Sequence, residues 1–168
     1  MNSLLGTKFK VVTGYPGSNE LDAAIERGEL DGRGAVSWAA LKVTGDWVQA
    51  GNVNLLVQIG ANKAPDLPNV PLLHEYATDP EDKSVLEFLS LAPAMGRPFF
   101  MPPGTPDDRV EASRAAFAKA LADKQLQEDA AKIRLDLNPV SGEDLATIAR
   151  RTLDMPATVI DKAREAIK

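Results

Sequence analysis

The chain has 168 residues, 44% of them hydrophobic, no cysteine, and a formal charge of −5 with a pI near 4.9. That length and apolar content hold one ordinary domain, or two small lobes, around a real core, and exclude wholesale disorder. The acidic balance without a Lys/Arg cluster argues against nucleic acid as a partner. The missing cysteines exclude thiol catalysis, disulfides and Cys-ligated zinc.

Residues 2–7 read as a helix tail or loop ending at Gly6. Apolar runs are short, so no membrane span is expected. No basic start precedes a long apolar segment, so the visible sequence carries no export signal and reads as cytoplasmic if translated as it stands. Phe9, Val11 and Val12 form a β-branched and aromatic run typical of a strand. Thr13-Gly14-Tyr15-Pro16-Gly17-Ser18 then forces a turn with little bulk beside the backbone. The spacing next predicts a helix with Leu21, Ala24 and Ile25 on one face and Glu20, Asp22, Glu26 and Arg27 on the other, stopped by Gly28. Gly34–Trp38 reads as a second strand and Ala39–Gln49 as a helix with Leu41, Trp47 and Val48 inward and a break at Gly45. Val53–Gly60 is the strongest strand, apolar enough for burial on both faces. Alternation of strand and helix implies parallel pairing with right-handed crossovers, hence an α/β sheet.

After Gly60 the character changes. Pro65, Pro68 and Pro71 make an extended, stiff connector. Leu72–Tyr76 adds a turn of helix, and Asp79-Pro80 opens a helix as N-cap and N1 proline, running to about Ala92. Gly96–Met101 reads as a strand. Thr105-Pro106 opens a long helix to about Ala122 with Val110, Ser113, Phe117 and Leu121 inward. Asp123 caps a second helix. Ser141 to Asp144 has the spacing of a capping box with Asp in the Glu slot, and Met155-Pro156 interrupts the chain before a final helix.

A strand, a small-residue turn and a helix aim free backbone N–H groups at an anion, so Gly14–Ser18 is the first candidate for a ligand contact. Glycine also serves simply to reverse the chain, and the turn lacks the spacing of GxGxxG or GxxxxGK[ST]. His74, the single histidine, has no second ligand or nucleophile beside it and reads as structural. Asp66, Glu81, Asp82, Asp107 and Asp108 stand at turns and helix starts, where the macrodipole accounts for them. Ser141 is a cap without a nucleophile's setting, and the role of Arg97 stays open. No catalytic set, metal ligands or cofactor fingerprint emerges.

Several segments taken in order carry a resemblance. They are Leu4–Gly17, Glu26–Gly32, Val53–Gln58, Pro65–Pro71, Met95–Phe99, Pro102–Pro106 and Asn138–Gly142. Together they are similar to the C-terminal half of the extracytoplasmic solute-binding receptors of tripartite tricarboxylate transporters, the Bug family. The resemblance implies a type II periplasmic-binding-protein-like α/β fold in partial form. Residues 1–59 would be part of the second ligand-binding lobe with a parallel sheet, ending in the crossover strand. Residues 60–168 would be the connector, the return strand and the C-terminal helices of the first lobe. It also implies a periplasmic location, a small organic carboxylate as ligand, and membrane transporter subunits as partners of full-length relatives. Carboxylate oxygens would be held by backbone N–H groups, small hydroxyls and waters. Gly14, Tyr15, Gly17 and Ser18 are then the cleft residues, joined by Ser37 at a strand's carboxyl end and by Trp38 as a wall. The N-terminal half of such a receptor is not in the sequence, so a complete clamp is not expected.

The reading is therefore a binding protein, not an enzyme. Two alternatives accompany it. One is an α/β enzyme fragment. The other is a non-binding remnant or stand-alone domain whose apolar faces are covered in a homodimer.

Overall fold

The computed structural model describes residues 1–43, 47–48, 50–133, 135 and 137–168. It divides into two compact units, Met1–Asn54 and Leu55–Lys168.

The first unit contains helices α1 (Asn2–Leu5), α2 (Ser18–Glu26) and α3 (Trp38–Val43). Asn2 sits on α1 and holds Phe9 by both backbone groups. Its Nδ2 donates to the Phe9 carbonyl at 2.8 Å and its Oδ1 accepts from the Phe9 N–H at 3.0 Å. A side-chain amide thus takes the place of a strand partner for one residue. α2 stops as the sequence predicts. Gly28 adopts φ 74°, its N–H donates to Ile25 O, and the Glu29 N–H donates to Ala24 O. Those two bonds make a Schellman motif, which places a glycine at the left-handed position. Asp22, expected on the outer face, is buried instead and paired with Arg33, both side chains nearly buried. The pair ties the segment after α2 back onto the helix. Trp47 Nε1 donates to Glu26 Oε1 at 3.0 Å. The expected break at Gly45 lies outside the described residues.

The second unit opens on a loop folded around Gln58. Its Nε2 donates to the carbonyls of Leu67 and Val70, and its Oε1 accepts from the Ala64 N–H. Its backbone N–H donates to Pro71 O and its carbonyl accepts from Leu73 N. The proline-rich stretch cannot satisfy itself by a ladder, so one amide side chain at its centre does so. A 3₁₀ turn at Leu73–Tyr76 leads to α4 (Pro80–Leu89), α5 (Leu91–Met95), α6 (Asp107–Leu121), α7 (Lys124–Lys132), α8 (Gly142–Leu153) and α9 (Ala157–Ala166). Asp79, Asp123 and Ser141 cap α4, α7 and α8 as their spacing predicts. α6 starts one residue later than expected, at Asp107, because Thr105 spends its hydroxyl on Pro102 O. The core lies where α4 packs against α9 and the 3₁₀ turn, with Leu73, Val85, Leu86, Val159 and Ala163 buried. Lys162 of α9 clasps Glu81 at 2.7 Å and Asp82 at 2.9 Å on the first turn of α4.

The expected α/β architecture, a periplasmic-binding-protein-like parallel sheet with a return strand, is overturned. Among the described residues the structure is helices and turns, with a single isolated parallel bridge, Gln58 to Leu72. Each expected strand fails for a visible reason. Phe9–Val12 is extended and exposed, and its neighbour is the Asn2 side chain. Gly34–Trp38 is broken by Ala35 at φ 55° and by α3 beginning at Trp38. Within Val53–Gly60 only Gln58 finds a bridge partner. Gly96–Met101 starts from a left-handed Gly96 and leaves Phe99 and Phe100 84% and 88% exposed. A strand that is apolar on both faces needs a neighbour on each edge. The inward face expected for α6 is also corrected: no residue of that helix is buried, and Phe117 meets the Phe99 ring at 5.5 Å between centroids.

Candidate functional site

The sequence-predicted residues fall at two helix starts of the first unit. Gly14 takes φ 103°, a conformation that L side chains rarely adopt, and turns the extended segment toward α2. Tyr15 is half-buried and Pro16 exposed. Gly17 is extended and stands at the N-cap of α2, so no side chain caps the helix there. Ser18 is the first helical residue and is exposed. This end of α2 therefore offers neutral backbone donors and a hydroxyl in a field that favours an anion.

The chain brings its own carboxylate to the same place. Glu20 Oε2 lies 2.9 Å from where a Cβ on Gly17 would stand, so the Glu20 side chain folds back over the helix start. Any side chain at Gly17 would have to displace it. An external carboxylate arriving here meets the helix dipole and a like charge together. At the far end of α2, Arg27 Nε pairs with Glu29 Oε1 at 2.6 Å. This holds the Glu29 carboxyl below and the Arg27 guanidinium above their ordinary ranges.

Ser37 precedes α3, and its carbonyl accepts from Leu41 N at 2.9 Å. Trp38 is half-buried and carries Lys42 Nζ over its ring at 5.5 Å, a cation–π contact one helical turn along. Ser37 and Trp38 thus belong to the start of α3, while Gly14, Tyr15, Gly17 and Ser18 belong to the start of α2.

Among the described residues no group of three or more His, Asp or Glu side chains could hold a metal. His74 is half-buried in the 3₁₀ turn, and its Nδ1 is buried without a hydrogen-bond partner. No described helix is long and apolar enough to cross a membrane.

Sequence reasoning missed a cleft in the second unit. It lies among α4, α5, α8 and α9, with a volume of about 160 Å³, and Phe88, Leu91, Met155 and Val159 give it apolar walls beside Glu87 and Arg151. Neither of these two charged side chains forms a hydrogen bond or ion pair with the described residues. The helical spacing of Phe88, Leu91, Met155 and Val159 reads as ordinary core, which is why the sequence gives no separate signal for a cleft. Comparison with protein-family models, with curated proteins and with solved structures finds no match in any of the three.

Proposed function

We propose that this chain is a binding protein for a small organic di- or tricarboxylate, as part of a solute receptor of the kind it resembles. In such receptors the bound solute is passed to a membrane transporter, and the site of action is the periplasm. The observation that carries the reading is the start of α2, where a glycine N-cap, an exposed Ser18 and a left-handed Gly14 leave the first backbone donors without a side-chain cap, beside the Glu20 carboxylate. Neutral donors of this kind hold a carboxylate without trapping it, which suits a ligand that must be released.

Glu20 makes the reading testable. In water a like charge at ~4 Å costs about 1 kcal/mol, so Glu20→Gln is expected to tighten carboxylate binding about fivefold. A thermal-shift titration of the wild type and Glu20→Gln with four- and six-carbon di- and tricarboxylates measures this. Stabilisation of both proteins, larger in the variant, is the expected result. If neither protein is stabilised by any of these ligands, the receptor reading fails.

A further inference from the structure

We infer that the cleft among α4, α5, α8 and α9 binds a free α-amino acid with an apolar side chain of the size of leucine or methionine, its ammonium held by Glu87 and its carboxylate by Arg151. This goes beyond the carboxylate reading and stands independently of it, on a different unit.

Size and lining set the first requirement. A cleft of about 160 Å³ has room for roughly five waters and falls below the range of pockets that enclose drug-sized ligands. It takes one small molecule. Phe88 and Met155 wall it and are half-buried, and Leu91 and Val159 are buried. Walls of this kind favour an aliphatic group over water, so part of the occupant is apolar.

Charge sets the second requirement. Glu87 of α4 and Arg151 of α8 line the same cleft, yet neither side chain has a hydrogen-bond or ion-pair partner among the described residues. Nor do they pair with each other, so their charged ends stand farther apart than the ~4 Å of an ion pair. Glu87 is half-buried in the last turn of α4, a turn without a basic residue. The helix dipole opposes an anion at that end, so the Glu87 carboxylate lacks the cation its position calls for. Ser84 lines the cleft one turn earlier on the same face of α4. Its hydroxyl already donates to Pro80 O at 2.9 Å, which leaves the oxygen as an acceptor. An ammonium here meets a carboxylate and a hydroxyl oxygen on α4, and a carboxylate meets the guanidinium on α8. A dicarboxylate would set one of its charges against Glu87, and a hydrocarbon would answer neither charge. One small molecule carries both charges and an apolar side chain: an α-amino acid.

Isothermal titration calorimetry of the full chain with L-leucine and L-methionine tests this, carried into the millimolar range that so small a ligand requires. Saturable binding of one ligand per chain is expected. Isocaproate, which is leucine without its ammonium, and L-leucinamide, which lacks the carboxylate, should each bind about tenfold more weakly or worse. Glu87→Gln and Arg151→Gln should each weaken leucine binding by a similar factor. Neither should change the melting temperature, because neither side chain holds another part of the chain. Glu87→Gln should not weaken isocaproate further, since that ligand has no ammonium to lose. Absence of saturable binding by both amino acids overturns the proposal. So does leucine binding that is indifferent to both substitutions, or isocaproate or leucinamide binding as tightly as leucine.

Discussion

Asp79 shows how a single side chain stabilises a helix and leaves a pH signature. Its Oδ1 accepts from the N–H groups of Asp82 at 3.0 Å and Glu81 at 2.9 Å. The Asp82 N–H, then the Glu81 N–H and the nearby Lys162 ammonium, hold its carboxyl below the usual range. A carboxyl with a depressed folded pKa contributes stability that is present above its unfolded pKa of about 3.9 and is lost as pH falls through the folded one. Asp79→Ala should therefore lower the melting temperature by a few degrees at neutral pH. The gap from wild type should close as pH drops below the ordinary carboxylate range. A gap that stays constant with pH would mean the carboxylate is not the stabilising group. This cap was legible from Asp79-Pro80 alone, because both donors lie within three residues. Gln58 was not: read as one residue of a buried strand, it holds groups as distant as Val70. The site residues divide in the same way. Gly14, Gly17 and Ser18 stand at a helix start as their types predict, whereas the carboxylate of Glu20 folded over them depends on a rotamer that no sequence pattern fixes.

At the scale of elements, most helices were legible and strands were not; the helix expected over Ala39–Gln49 is Trp38–Val43, with Trp47 and Val48 in a turn. Starts and stops such as Asp123, Ser141 and Gly28 act through bonds within a turn of the chain, so the sequence carries them locally. Which face is buried is a tertiary matter, and two helices make the contrast. α4 drives Val85 and Leu86 into the core against Val159 and Ala163 of α9, with Leu86 1% exposed. α6 has a weaker apolar stripe and buries none of it. Leu86→Ala should then cost about 2–5 kcal/mol through lost transfer energy and a cavity. Phe117→Ala, on a half-exposed ring whose main aromatic partner is Phe99, should cost no more than about 1.5 kcal/mol. Urea denaturation of both variants measures the difference. Equal losses would mean that α6 is packed in solution on a surface the helix lacks here.

At the scale of the whole chain, the expected sheet failed because a strand's stability is non-local. A β-branched run is a strand only if another run lies beside it, and Phe9–Val12 and Gly96–Met101 find none. Their apolar side chains remain in water, with Val11 75% and Phe100 88% exposed. The cost appears in the total surface. The chain exposes 12,325 Å², whereas two independent compact units of these lengths would expose roughly 9,500 Å². Heat capacity reports this directly, because the increment on unfolding follows the apolar area newly hydrated. At the usual 12–15 cal/mol/K per residue, a chain of this length would give ~2–2.5 kcal/mol/K. Less area is buried here, so the calorimetric increment, summed over both units and measured at a concentration where the chain is monomeric, should fall about a fifth below that range. Raising the concentration should bring it back up if copies cover one another's bare surface. A full-sized increment in the dilute monomer would instead require that the exposed segments be buried by the chain itself, against the fold described above.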